Sequence, residues 1–187
     1  MDRRVKYTKS TIEDTFLNLL EKKDIGEITV TEICEKADIN RATFYRYYID
    51  IYDLLKKIQD SFINEIKASN AMIYLKDYTV YNFTKEILEI FYHNKKLVKI
   101  IFDTNKGVYS INEVLEIAYE KASSKWFSNF PEMDETEIEY AAVYVFNGAL
   151  GVINYWIRND FDQDIDEVSK YIEKLTLDGI RKFVNKK

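Results

Sequence analysis

The stretch INRATFYRYY, residues 39–48, decides how this chain is interpreted, because it carries two arginines and three tyrosines but no acid in a protein of formal net charge -5. Asn40 is a good N-cap for a helix that runs through Tyr48. Phe44 and Tyr48 lie four residues apart and are expected to face a small core. The side chains left at least partly outside are Arg41, Thr43, Tyr45, Arg46 and Tyr47. These are the residue types that contact base edges and phosphates in DNA, and the small Ala42 would allow a close approach.

The residues before and after this helix complete a helix-turn-helix pattern. Thr29 and Glu32 have the spacing of a capping box, and the apolar residues that follow Thr29 share one face of a short second helix. A first helix is predicted around Ile12 with Ser10 as its cap, and Asp50 is expected to cap a fourth helix. In a helix-turn-helix unit the second helix of the pair enters the major groove of DNA.

Composition favours an all-α protein without catalytic chemistry. The chain has 187 residues, five glycines and one proline, so it has few places for tight turns. The single cysteine, Cys34, excludes an internal disulfide, and the single histidine, His93, removes most histidine catalysis and zinc chemistry. We therefore assign no catalytic residue, metal ligand or cofactor. Residues 1–20 show no secretion signal, so a cytoplasmic location is expected.

Charge alone leaves two interpretations of the N-terminal segment open. Residues 1–48 contain nine basic and nine acidic residues, which is not the basic excess of a non-specific DNA-binding protein. The placement of the charges favours DNA, because Arg3, Arg4, Lys6 and Lys9 cluster before the first predicted helix. An ordinary solvated surface accounts for the same balance equally well.

The run TVTEICEKADINRATFYRYYIDIYDLL, within about residues 8–60, resembles the DNA-binding domain of the TetR family of bacterial transcription regulators. That resemblance implies phosphate contacts for Thr29 and Thr31, base-edge contacts at the start of the third helix, and phosphate anchoring by Tyr45 and Tyr47. Ile51 stands where the family usually carries a phosphate-contacting lysine. The predicted DNA interface is Lys9, Thr29, Thr31, Asn40, Arg41, Ala42, Thr43, Tyr45, Arg46 and Tyr47.

The rest of the chain is expected to form a larger helical domain, so we predict domains at residues 1–50 and 51–187. Further helices are predicted near 78–92, 94–103, 110–130, 135–159 and 164–185. The uncharged stretch Tyr140–Ile157 contains Asn147 and Asn154 and has no basic flank, so we expect it to pack against protein and not to cross a membrane.

The last two predicted helices have the pattern of a dimer interface. The final helix repeats apolar residues at near-heptad spacing, which suits a four-helix bundle made by two chains. The stretch GALGVINYWIRNDF is also similar to the penultimate helix of a TetR subgroup that dimerises through its last two helices. The predicted interface residues are Val145, Gly148, Gly151, Val152, Tyr155, Ile172, Leu175 and Ile180.

The resemblance implies that an effector binds the larger domain and changes the affinity for DNA. Aromatic residues are dense there, and the candidates for an effector site are Tyr92, Phe102, Tyr109 and Trp126. The predicted function is a homodimeric regulator, a repressor by family prevalence, that binds a palindromic operator in double-stranded DNA and responds to an unidentified small molecule. The alternative is a helical ligand-binding or protein-interaction protein without DNA regulation.

Overall fold

The computed structural model describes residues 3–69, 79–102 and 133–184, and the regular structure in these ranges is helical. Its helices are α1 (Arg3–Leu20), α2 (Val30–Lys36), α3 (Arg41–Tyr45), α4 (Ile51–Ala68), α5 (Val80–His93), α6 (Lys95–Phe102), α7 (Glu135–Arg158) and α8 (Ile165–Val184). The all-α prediction is confirmed, and the bounds predicted for α5 to α8 differ from the observed ones by two residues at most. The helix predicted at 110–130 lies outside the described residues.

Helix α1 begins earlier than the sequence predicts. It starts at Arg3, so Ser10 lies inside the helix, and the Ser10 hydroxyl approaches the Asp14 carboxylate at 3.5 Å. The prediction of Ser10 as a cap is therefore wrong. The residues before Ser10 are helical as well. Thr8 also lies within α1, and its hydroxyl donates to the carbonyl of Arg4, one turn back, at 2.9 Å.

Helix α2 is closed at both ends by local hydrogen bonds. The Thr29 hydroxyl accepts from the backbone N–H of Glu32 at 3.2 Å, so Thr29 is the N-cap. The Glu32 carboxylate pairs with Lys23 and does not complete the predicted capping box. At the other end the N–H of Ile39 donates to the carbonyl of Cys34 at 3.0 Å, and Asp38 adopts a left-handed φ of 52°. This is a Schellman motif, which turns the chain sharply and directs it into α3.

Helix α4 joins the N-terminal helices to the rest of the chain. The Asp50 carboxylate accepts from the N–H of Asp53 at 2.8 Å, so the predicted N-cap is confirmed. The inward face of α4 includes Leu54, Ile58 and Phe62, and it belongs to one continuous hydrophobic core that extends from α1 to α8. The domain boundary at residue 50 stays a prediction.

Helix α5 packs against α8 through polar contacts at its first turns. The Tyr81 hydroxyl donates to Asp166 at 3.0 Å, and the Lys85 ammonium lies 2.7 Å from the same carboxylate. The backbone N–H of Tyr81 donates to Glu173 at 3.1 Å. These contacts fix the register of α5 against α8.

The turn between α7 and α8 is closed by a second Schellman motif. The N–H of Phe161 donates to the carbonyl of Trp156 at 2.9 Å, and both Asp160 and Phe161 have left-handed φ angles, 58° and 59°. The two aromatic rings pack edge to face, with centroids 4.8 Å apart. Helix α6 reaches this turn through an ion pair between Lys99 and Asp160.

In the described ranges, no helix combines the length and apolarity that a membrane span needs.

Candidate nucleic-acid interface

Helix α3 has one buried side and one exposed side. Phe44 and Tyr48 are 0% and 2% exposed, which confirms the predicted inward pair. The α-helix is shorter than predicted and ends at Tyr45. The chain then tightens, because the N–H of Tyr47 donates to the carbonyl of Phe44 at 2.9 Å, three residues back. The outward side chains are Arg41, Ala42, Tyr45 and Arg46, with Thr43 and Tyr47 half-buried.

Asn40 is exposed and also determines where α3 begins. Its side-chain oxygen accepts two hydrogen bonds, from the N–H of Thr43 at 2.7 Å and from the Thr43 hydroxyl at 2.9 Å. The predicted cap is therefore confirmed. A helix of only five residues depends on such a cap and on the packing of its inward side chains.

The first turn of α2 lies beside the first turn of α3. Thr29 is exposed, and its hydroxyl caps α2. Thr31 is also exposed, and its hydroxyl accepts a hydrogen bond from the guanidinium of Arg41. The Glu32 carboxylate pairs instead with Lys23, in the turn after α1. The structure therefore joins two predicted interface residues, Thr31 and Arg41, by a direct contact.

Tyr47 lies between two lysines. The Lys9 ammonium on α1 lies 5.5 Å from the centroid of the Tyr47 ring. The Lys57 ammonium on α4 donates to the carbonyl oxygen of Tyr47 at 2.9 Å and to the Asp53 carboxylate at 2.8 Å. Lys9 and Tyr47 were both predicted from the sequence to lie in the interface, whereas the link that Lys57 makes from α4 to Tyr47 was not predicted. The only sequence signal for Lys57 is its spacing of four residues from Asp53 on one helix.

The Tyr48 hydroxyl attaches the end of this region to α1. It donates to the Glu13 carboxylate at 2.8 Å. Burial of the phenol, followed by this hydrogen bond to Glu13, raises the pKa of Tyr48 above its ordinary value. The raised pKa favours the protonated phenol, which is the form that donates to Glu13.

The single cysteine and the single histidine of the sequence both have structural surroundings. Cys34 is buried on α2, and the desolvation that follows raises the pKa of its thiol, which disfavours the reactive thiolate. His93 ends α5, and its Nδ1 lies 2.7 Å from the carbonyl oxygen of Glu89. Across the described residues, no three His, Cys, Asp or Glu side chains form a group that could hold a metal ion.

The candidate effector residues do not form one described group. Tyr92 is exposed and stacks on Trp156, with ring centroids 6.4 Å apart. Phe102 is half-buried and packs edge to face against Phe91 at 6.0 Å. The remaining two candidates, Tyr109 and Trp126, lie outside the described residues.

The predicted dimer residues separate into an exposed and a buried group. Gly148, Gly151, Tyr155 and Leu175 are exposed. Val145 and Val152 are half-buried and pack against the core. Ile172 and Ile180 are each 3% exposed and lie in the core of the chain itself. Their place in the near-heptad repeat therefore reflects packing within one chain, and we correct the predicted interface by leaving these two isoleucines out.

The family follows from a match that covers most of the region after α4. The family model described as a transcriptional regulator C-terminal region, of the TetR type, matches residues 78–178, more than half of the chain. This chain belongs to the TetR family of transcriptional regulators. Membership of this family supports a DNA-binding regulator of transcription.

A curated relative and several solved structures are similar to this TetR-family chain. The uncharacterized HTH-type transcriptional regulator YxbF of Bacillus subtilis (strain 168) is 42% identical over 57 residues, which are 30% of this chain and 15% of that relative. The match therefore spans less than a sixth of the relative's length.

Solved structures share the fold over nearly the whole chain. The dihydroxyacetone kinase operon activator DhaS has a TM-score of 0.60 at 21% identity, over 93% of this chain and 96% of its own. A TetR transcriptional regulator from Streptococcus agalactiae 2603V has a TM-score of 0.55 at 20% identity, over 94% and 96%. The fatty acid degradation regulator FadR from Bacillus halodurans has a TM-score of 0.60 at 19% identity, over 90% and 94%.

Proposed function

We propose that this TetR-family regulator is a cytoplasmic homodimer that binds a palindromic operator through α3 and represses transcription until an effector binds. The observation that carries the proposal is the two-sided segment made of α3 and the turn after it, which buries Phe44 and Tyr48 and exposes Arg41, Tyr45 and Arg46. Buried aromatics hold the helix against the core while its long polar side chains extend outward, as major-groove recognition requires.

The outward side chains supply both kinds of DNA contact. A guanidinium such as that of Arg41 can bond two atoms of a guanine edge in the major groove. The Tyr45 hydroxyl and the ammonium of Lys9 are suited to phosphate oxygens. Helix α4 begins with Ile51 and not with a lysine, so we assign the side-chain contacts to phosphate to α1, α2 and α3 and leave α4 only its N-terminal amides.

An exposed apolar face on α7 and α8 supports dimerisation. On α7, the exposed residues recur at helical spacing, and Tyr140, Tyr144 and Tyr155 are 73%, 72% and 70% exposed. On α8, Tyr171 and Leu175 are 55% and 64% exposed. Large apolar side chains clustered on one surface are typical of an interface with another protein chain. We name this surface the α7–α8 face: Tyr140, Val143, Tyr144, Gly148, Gly151, Tyr155, Tyr171 and Leu175.

Two glycines within α7 give independent support for a partner. Glycine in a helix interior costs about 1 kcal/mol relative to alanine. A Cβ at Gly148 or Gly151 would meet no atom of the described chain within 4 Å, so packing inside the chain does not require either glycine. Close approach of a second chain does, because a missing side chain lets two helices come nearer. Two copies would place two α3 helices on one operator, and half-sites in such dimers lie about 34–36 Å apart.

The effector part of the proposal rests on the family and on the interior of the larger domain. The side-chain oxygen of Asn154 on α7 is buried and has no hydrogen-bond partner in the described part of the chain. An unpaired buried acceptor costs about 1–3 kcal/mol, and an effector with a hydroxyl or amine donor would remove that cost. Tyr92 and Phe102 remain candidates for aromatic contacts, and binding would act by shifting the population of DNA-competent dimers.

Selection of bound duplexes from a random DNA pool, at near-physiological salt, tests the proposal. The wild-type protein is expected to enrich a palindrome, because each half-site meets one copy of α3. In the same selection Arg41→Ala, which removes the base-reading group, is expected to recover duplexes with weaker discrimination, and Arg41→Lys is the matched control because it keeps a positive charge at the same position. No enrichment by a folded, dimeric wild type, with or without cell extract as a source of effector, would favour a ligand-binding or interaction protein without DNA regulation.

A further inference from the structure

We propose that Thr31 is a specificity-determining residue that orients Arg41 for base recognition, an inference that rests on the proposed function. The resemblance to the family assigns Thr31 a phosphate contact only. In the structure its hydroxyl accepts a hydrogen bond from the Nη2 group of Arg41, although both side chains are exposed. Thr31 therefore holds a side chain that is predicted to read a base.

The contact joins the two helices of the helix-turn-helix unit at their first turns. Thr31 is the second residue of α2, and Arg41 is the first residue of α3. Both backbones are fixed locally, because Thr29 caps α2 and Asn40 caps α3. The distance between the two side chains is therefore set by rigid elements, and their hydrogen bond fixes the direction of the guanidinium relative to α3.

The chemistry of the two groups lets one threonine serve two partners. A guanidinium has five N–H donors in a plane, so one bond to Thr31 leaves donors for the O6 and N7 atoms of a guanine. A hydroxyl has two acceptor lone pairs and one hydrogen, so Thr31 can accept from Arg41 and still donate to a phosphate. Glu32, the acid next to Thr31 in the sequence, pairs with Lys23.

Orientation matters because an unrestrained arginine loses rotamer freedom when it binds. Immobilising a long side chain at an interface opposes binding by an amount that corresponds to roughly two- to tenfold in affinity. If Thr31 already restricts Arg41 in the free protein, the affinity for a duplex with the correct base pair is higher by that factor. An incorrect base pair gains little, because the oriented guanidinium then lacks its acceptors. The effect appears in the ratio of affinities, which defines specificity.

The test compares affinities for two duplexes, the palindrome recovered by the wild type and the same duplex changed at the base pair where Arg41→Ala loses discrimination. Thr31→Val removes the hydroxyl with little change in shape, Thr31→Ser keeps it, and Thr136→Val is a matched change at an exposed threonine on α7. Arg41→Ala is expected to lower the affinity ratio roughly 5- to 150-fold. We expect Thr31→Val to lower it roughly two- to tenfold, while Thr31→Ser and Thr136→Val leave it unchanged.

A double variant separates orientation from a simple phosphate contact. In the Arg41→Ala background, Thr31→Val should no longer change the affinity ratio, because the group it orients is gone. An equal loss on both duplexes with an unchanged ratio would show that Thr31 contacts phosphate alone and would overturn the inference. If Thr31→Val lowered the affinity ratio equally in the wild-type and in the Arg41→Ala background, the inference would also be overturned. Failure of the wild type to enrich any duplex would instead refute the proposed function, so the two failures are distinguishable.

Discussion

Replacement of Asn40 tests whether one side chain both begins α3 and faces DNA. Asn40→Ala removes the acceptor for two hydrogen bonds, those from the N–H and the hydroxyl of Thr43 at 2.7 and 2.9 Å. Loss of an N-cap costs about 1 kcal/mol, within a range of roughly 0.5–2 kcal/mol. For a chain of this size that cost lowers the melting temperature by about 2–4 °C.

Asn40→Asp is the control that separates the two roles. A carboxylate accepts the same two bonds and is favoured at the N-terminus of a helix, so the stability of this variant should stay within about 0.5 kcal/mol of wild type. For DNA affinity the ranking of the two variants is the opposite, because a negative charge at position 40, beside the phosphates, weakens binding more than an alanine does. We therefore expect Asn40→Ala to be the less stable variant and Asn40→Asp the weaker DNA binder.

The assay pairs urea unfolding, followed by helical circular dichroism, with duplex binding by fluorescence anisotropy. Unfolding is compared at one protein concentration, since the apparent stability of a dimer depends on concentration. Wild-type stability in Asn40→Ala would refute the cap as an energetic contributor. Wild-type DNA affinity in Asn40→Asp would show that this end of α3 lies away from the phosphates.

Three further predictions concern binding, assembly and pH. Tyr45→Phe should weaken binding to the recovered and to random duplexes alike, by about 1 kcal/mol, and a loss confined to the recovered duplex would contradict a phosphate role. Gly151→Leu should shift the dimer toward monomer in sedimentation velocity without unfolding the chain, whereas an unchanged profile would put the interface elsewhere. Hydrogen bonds from Lys85 and Tyr81 lower the pKa of the Asp166 carboxyl below its ordinary value of 3.8. The ionised carboxylate therefore contributes to stability above that pH, and the contribution is lost as the pH falls through the lowered pKa. The difference in unfolding free energy between wild type and Asp166→Asn should therefore shrink as the pH is lowered from neutral into the acid range, and a difference that did not change with pH would contradict this assignment.

The local features of the helix-turn-helix unit were predictable from the sequence because short-range interactions determine them. The caps at Thr29, Asn40 and Asp50 follow from side chains that bond the backbone two or three residues on. The inward direction of Phe44 and Tyr48 follows from helical spacing. The start of α1 was not predictable in the same way, because several consecutive residues could begin the helix and only tertiary structure selects one.

Contacts between helices were beyond sequence reasoning for a different reason. The Thr31–Arg41 bond and the position of Lys9 over Tyr47 join residues that are distant in the chain, and no pattern in the sequence relates them. The dimer prediction shows the same limit. An apolar repeat predicts that a face is buried, but it does not distinguish burial inside one chain from burial against a partner. Two residues of one repeat on α8 illustrate this: Ile172 lies in the core of the chain, whereas Leu175 lies on the exposed α7–α8 face.

The most direct test of the central claim is the affinity of the purified protein for its selected duplex and for a scrambled one, with the mass of each complex determined by sedimentation. The account predicts two chains per duplex and a preference for the selected sequence of about 1,000-fold or more at near-physiological salt. Equal affinity for both duplexes, or one chain per duplex, would contradict a sequence-specific dimer.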